Sequence, residues 1–169
     1  MDRSPSPSNQ PLWFVVHTRP RCEKKLVQYC QQEGISTTLP LYRTVHKYRG
    51  KTVAFEKPLF PGYVFVRMPR PQRQSIFQSK HVANLLEVFD QDQFEHQLGN
   101  ILTALESDLP ITLAPEIGVG TRVVLKSGPL EGMEGWVEKR HGPAIVLLRL
   151  DFIGQAAAIQ VEAHHLQPA

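Results

Sequence analysis

The 169 residues leave room for one ordinary domain or two small ones, and 41% hydrophobic with 21% charged residues is the balance of a chain that buries a core. No apolar run reaches the roughly 18 residues of a membrane span, and the opening MDRSPSPSNQP offers a secretion machinery nothing apolar to read, so a cytoplasmic protein is expected. The formal charge of +3 is unevenly spread: residues 1–105 hold 14 Lys+Arg against 8 Asp+Glu, residues 106–169 hold 5 against 8. That asymmetry suits a chain with one part near nucleic acid, although a solvated basic face has the same composition.

Residues 1–11, rich in Ser, Pro and Asn, read as a disordered tail. LWFVVH from Leu12 has the length of a buried strand, and Pro20 then stands at a plausible first helical position. Cys22, Leu26, Val27, Cys30 and Glu33 recur at helical spacing before Gly34 ends the helix. On one helix the two cysteines lie about 12 Å apart, too far for a bridge, and both read as small buried hydrophobes. TTLPLYRTVHKY and KTVAFEKPLFPGYVFVRM around Arg49-Gly50 read as a hairpin. GYVFVRM alternates, with Tyr63, Phe65 and Arg67 on one face and Val64, Val66 and Met68 on the other. QRQSIFQSK reads as a short helix and NLLEVF as a strand. DQFEHQLGNILTALES reads as a helix with Phe94, Leu98, Ile101, Leu102 and Leu105 in one stripe.

The order β, α, β, β, α, β, α predicts an α+β sandwich over a mainly antiparallel sheet, spanning residues 12–106. Residues 107–117, with their prolines and glycines, read as a linker. From 118 to 169 the turn glycines fall so close together, with Gly142-Pro143 and Gly154 among the breaks, that a small five-stranded barrel is expected.

Two segments carry a recognisable signature. Pro58-Leu59-Phe60-Pro61-Gly62-Tyr63-Val64-Phe65-Val66, preceded by Trp13-Phe14-Val15-Val16, and Gly128-Pro129-Leu130-Glu131-Gly132-Met133-Glu134-Gly135-Trp136-Val137 together resemble the NusG family of transcription elongation factors. The first looks like the family's amino-terminal (NGN) domain and the second like its KOW motif, an SH3-like barrel. Independently of the name, Pro61-Gly62 makes a tight turn that sends Tyr63 and Phe65 up one face, where aromatics either complete a core or form an exposed patch. The resemblance implies the patch: a pocket of His17, Pro61, Tyr63 and Phe65, with Phe89 from the later strand, gripping the clamp helices of RNA polymerase. It implies that Gln74 and Ser75, where a threonine-rich segment stands in the specialised RfaH-like branch, hydrogen-bond the polymerase gate loop.

Gly128, Gly132 and Gly135 are expected at barrel turns that need positive φ, a structural role. The resemblance implies that Phe152 and Ile153 dock on the ribosomal protein NusE. Ile153-Gly154 and the compact hairpin place the chain closer to the RfaH-like branch than to housekeeping members, and the Rho question stays open.

Between residues 43 and 57 five cations, Arg43, Lys47, Arg49, Lys51 and Lys57, face one acid, Glu56. A solvated hairpin tip is the plain reading; the resemblance favours contact of Lys47, Arg49 and Lys51 with the phosphates of upstream duplex DNA. It also assigns Arg19, Lys25, Lys80 and His81 to the exposed strand of the transcription bubble.

Catalysis finds little support. His17 and Cys22 stand on different elements, His164-His165 has no further ligands at metal spacing, and the GVG of residues 118–120 precedes a strand, so no cofactor or metal is expected. Two function classes remain: a monomeric, non-enzymatic transcription elongation and antitermination factor that rides polymerase, and an RNA-binding or ribosome-associated KOW protein. Six glycines and two prolines in residues 120–154 also argue that the barrel does not convert to a helical hairpin.

Overall fold

A computed structural model describes residues 9–114, 120–138, 144–162 and 165–169. Most of the expected tail, the end of the expected linker, Gly142-Pro143 and His164 lie outside the described residues. The chain falls into two compact units, one built from the residues up to Leu39 with Phe60–Asp92, the other from Pro40–Leu59 with Gln93–Ala169.

The first unit is a four-stranded antiparallel sheet of order β2-β5-β1-β6: β1 (Leu12–Thr18), β2 (Ser36–Thr38), β5 (Tyr63–Met68) and β6 (Val82–Glu87). The apolar runs of β1 and β5 take the two central positions, paired from Leu12↔Met68 to His17↔Tyr63. Helices α1 (Glu23–Gln32) and α2 (Arg73–Phe77) supply Leu26, Cys30 and Ile76 to a core completed by Phe14, Val16, Val64, Val66 and Met68. That face is the one the alternation of GYVFVRM predicts. Pro20 is not the first helical residue. It sits in a turn closed by Cys22 N–H donating to Arg19 O at 3.1 Å, and Leu26 N–H to Cys22 O at 2.9 Å opens the helix. Burial pushes the Cys30 thiol up to about 11, Glu33 adding to the effect, so it stays a protonated core group as expected.

In the second unit, β3 (Leu41–Tyr48) and β4 (Lys51–Pro58) form a separate two-stranded sheet, and α3 (Gln91–Glu106) starts just before the unit and carries into it a stripe of Phe94, Leu98 and Ile101. A six-stranded antiparallel sheet follows, of order β12-β8-β9-β10-β11-β7: β7 (Ile111–Ala114), β8 (Thr121–Leu125), β9 (Glu134–Glu138), β10 (Ala144–Leu150), β11 (Gln155–Val161) and β12 (Leu166–Pro168). Residues 118–169 supply the expected five strands, the last of them pairing with β8, and the sixth is part of the predicted linker, Ile111–Ala114, which pairs with β11. Val146, Leu147, Leu148 and Leu150 of β10 and Ala156, Ala157 and Ile159 of β11 are buried in it.

Candidate functional site

The Pro61-Gly62 turn begins the site. Tyr63 N–H donates to Phe60 O at 3.2 Å and Gly62 takes φ +86°, the pattern of a type II turn with Pro second and Gly third. Gly62 O then accepts from Thr18 N–H at 2.8 Å, tying the turn to the end of β1. Directly across the pair, the His17 and Tyr63 rings stack at 5.2 Å with an interplanar angle of 20°. His17 and Pro61 are exposed and Tyr63 is half-buried, so the turn presents an aromatic edge.

Phe65 behaves differently from Tyr63 although both share a face. Its ring is 0% exposed and packs edge-on against the buried Phe60 at 6.3 Å. The core alternative therefore holds for Phe65: its volume is already spent on packing, and it offers a partner no surface. Phe89 is 86% exposed, just beyond the buried Val88 whose N–H donates to Trp13 O at 3.2 Å. On α2, Gln74 is exposed and Ser75 half-buried, with Ser75 O accepting from Tyr29 O–H at 2.6 Å.

The turn at residues 19–22 and the turn after α2 are brought together by Arg19 N–H donating to His81 O at 2.9 Å. Arg19 and Lys80 are exposed there and His81 is half-buried; Lys25 is exposed on α1.

On the hairpin, Arg49 (φ 44°) and Gly50 (φ 78°) form a two-residue loop with two positive φ values, the type I′ pattern that suits strand twist. The register separates the three tip cations. Lys51 lies opposite Tyr48 and Lys47 opposite Thr52, so the two lysines lie on opposite faces with Arg49 between them. The Lys51 face also carries Tyr48, Val53, Phe55 and His46, all exposed, with the His46 and Phe55 rings 5.8 Å apart. The sequence reading missed this aromatic stripe, and its signal is the alternation of Tyr42, His46 and Tyr48.

In the C-terminal sheet, Gly128 (φ 90°) and Gly132 (φ 85°) occupy the turns expected of them, whereas Gly135 has no positive φ and lies inside β9. Its constraint is contact: a Cβ there would overlap Val146 Cγ1 and lie 3.0 Å from Leu147 O. Phe152 and Ile153 form a 3-10 turn with Asp151 and are half-buried. Helix α3 meets that turn. Asp151 N–H donates to Gln97 Oε1 at 2.9 Å, Gln97 Nε2 donates to Asp151 Oδ2 at 2.8 Å, and the Phe94 and Phe152 rings meet edge-on at 6.3 Å. Arg149 donates to Asp151 Oδ1 at 2.9 Å and lies 4.7 Å over the Trp136 ring. Nothing in the spacing of Gln97 and Asp151 announces this contact.

Among the described residues no group of three His, Cys, Asp or Glu side chains is placed to hold one metal ion, and no helix is long and apolar enough to cross a membrane. The mixed α/β architecture with antiparallel sheets and a sheet-rich C-terminal part fits a NusG-type protein. The chain belongs to the NusG family of transcription factors: residues 11–96 match the family described as transcription termination factor NusG. It is 24% identical over 149 residues to the transcription termination/antitermination protein NusG of Rickettsia typhi, covering 79% of this chain and 77% of the relative. It is 22% identical over 172 residues to the protein of that name from Lactococcus lactis, covering 92% and 91%. The family's members are transcription factors, not enzymes, and work with RNA polymerase.

Proposed function

We propose that the chain is an elongation and antitermination factor that binds RNA polymerase through an NGN domain of residues 12–106. Residues 107–117 connect it to a KOW domain of residues 118–169 that reaches a further partner such as the ribosome through NusE. The observation that carries the reading is the stacked His17–Tyr63 pair on the Pro61-Gly62 turn, a rigid, partly exposed aromatic edge of the kind that dominates interface energy. With Phe89 it forms the surface for the clamp helices; Phe65 serves as its buried support. Gln74 and Ser75 face the gate loop, and Ile153-Gly154 aligns the chain with the RfaH-like branch. Lys47, Arg49 and Lys51 touch upstream duplex DNA, and Arg19, Lys25, Lys80 and His81 the exposed strand of the bubble.

Co-elution of the full chain with core RNA polymerase tests the reading. The His17→Ala, Tyr63→Ala variant is expected to keep the parental circular dichroism spectrum and to bind polymerase about 30-fold or more weakly, the loss of one interface anchor. Binding equal to the parent's removes the aromatic edge from the interface. Elution of the parent with ribosomal subunits and not with polymerase makes the chain a ribosome-associated KOW protein instead.

A further inference from the structure

Residues 107–117 have the composition of a linker, yet Ile111–Ala114 lie on the edge of the C-terminal sheet as β7. Little holds the strand there. Ile111, Leu113 and Ala114 are half-buried and Thr112 is exposed, whereas the neighbouring β11 buries Ala156, Ala157, Ile159 and Val161. Opposite Thr112, Leu113 and Ala114 stand Ala158, Ala157 and Ala156, small side chains that add little cross-strand contact. Just before the strand, Leu109 and Pro110 line two cavities, one of about 530 Å³ against Pro129, Leu130 and Val161, the other of about 460 Å³ against Leu41 and Tyr42. Side chains bordering such gaps forgo packing contacts on that side.

The ladder fixes which groups β7 uses. Gln160 N–H donates to Pro110 O at 3.3 Å, a long rung that Pro110, lacking an N–H, cannot return. Backbone groups alternate sides along a strand, so the N–H groups of Ala156 and Ala158 also point at β7, while those of Ala157 and Ile159 point at β10. Thr112 and Ala114 N–H point back at β11 by the same alternation. The chain before the strand is fastened separately. Ser107 Oγ donates to Ala104 O at 2.6 Å and accepts from Leu109 N–H at 3.4 Å, so β7 can leave without unwinding α3.

We propose that Ile111–Ala114 is a releasable strap that peels from β11 as a unit while the other strands of the sheet stay paired. The strap sets how much chain separates α3 from the sheet. Docked, it leaves the four residues 107–110, which span at most about 14 Å; released, it leaves the fourteen residues between Glu106 and Thr121, which span up to about 48 Å. The Gln97–Asp151 contact ties α3 to the same sheet, so the slack becomes reach when that contact also opens. The inference goes beyond the connecting role proposed for residues 107–117. Its test runs on the free chain and is judged apart from polymerase binding.

Hydrogen exchange of the full chain, read amide by amide, is that test. Thr112, Ala114, Ala156 and Ala158 are expected to share one opening, with protection factors on the order of 100-fold below those of Ala157 and Ile159, so that alternate amides of a single strand divide between local and global opening. Uniform protection along β11 means that β7 leaves only when the sheet unfolds, and overturns the proposal. Thr112→Pro removes one ladder N–H and favours the released form. Carbon chemical shifts of that variant are expected to stay strand-like through residues 144–150 and 155–161, with protection lost at Ala156 and Ala158. Loss of the strand shifts there would make β7 an integral part of the sheet and overturn the proposal as well. In a Gln97→Ala background, adding Thr112→Pro is expected to raise the radius of gyration, and an unchanged radius refutes the strap's control of reach.

Discussion

Gly62 and Gly135 are both followed by an aromatic residue and a valine, yet different forces constrain them. Gly62 holds φ +86° with the His17 ring 3.5 Å from where a Cβ would stand, an ordinary contact, so backbone strain alone opposes a side chain. Gly135 has an ordinary backbone but no room, because the strand opposite brings Val146 and the Leu147 carbonyl against it. Gly62→Ala is expected to cost about 1–2 kcal/mol from the left-handed conformation, and Gly135→Ala about 1–3 kcal/mol from overpacking. Urea unfolding of double variants distinguishes the two causes. Val146→Ala removes the clashing methyl, so its cost and that of Gly135→Ala should sum to more than the double variant loses, while Val146→Ala and Gly62→Ala should add. Additivity at Gly135 would refute the steric account. The sequence made both glycines legible as structural, but only the partner strand shows which constraint applies. Phe65 carries the same lesson: alternation assigned its face correctly, while its burial depends on Phe60 on the far side of a turn that the pattern of one strand does not describe.

At the scale of elements, the β3–β4 hairpin was read correctly because Arg49-Gly50 is a two-residue loop whose chemistry suits a hairpin turn. Its separation from the main sheet was not legible. β2 runs straight into Leu39-Pro40, and only the structure shows that β2 pairs with β5 while Pro40 O accepts from Leu59 N–H at 2.9 Å to close the hairpin base. A two-stranded hairpin is marginal in water, and every residue of β4 up to Lys57 is exposed, so the element gains from a partner that covers it. Five cations against Glu56 suit the duplex DNA proposed above as that partner. Lys47 and Lys51 lie on opposite faces, however, and cannot follow a single row of phosphates together. Changing Lys47, Arg49 and Lys51 to Ala is therefore expected to lower the salt slope for duplex DNA by about one to two units, at roughly 0.9 per contact, short of the nearly three units of a cluster acting together. Anisotropy across a salt series checks it, and an unchanged slope would return the tip to plain solvation.

At the scale of the whole molecule, the C-terminal half was legible as strands, and its glycines and prolines explain both that success and the one strand, β7, that was missed. Pro110 precedes β7 and Pro168 ends β12, the two outermost strands of the six, where proline is tolerated because an edge strand leaves some N–H groups unpaired. Proline therefore read as linker where the fold has an edge. The same residues oppose a helical alternative. Six glycines in residues 120–154, at about 1 kcal/mol each against Ala, and two prolines, at about 3 kcal/mol each, would burden a helical hairpin. Val123, Val124, Trp136 and Val137 favour strands, and β10 and β11 pair without interruption from Ala144↔Val161 to Leu150↔Gln155. Carbon chemical shifts of the intact chain in solution are accordingly expected to be strand-like through residues 121–125, 134–138, 144–150 and 155–161, and to remain so when the first unit is occupied by polymerase. Helical shifts across 121–150 in either state would mean that the glycine and proline costs are offset elsewhere in the chain, and that this half of the molecule switches fold.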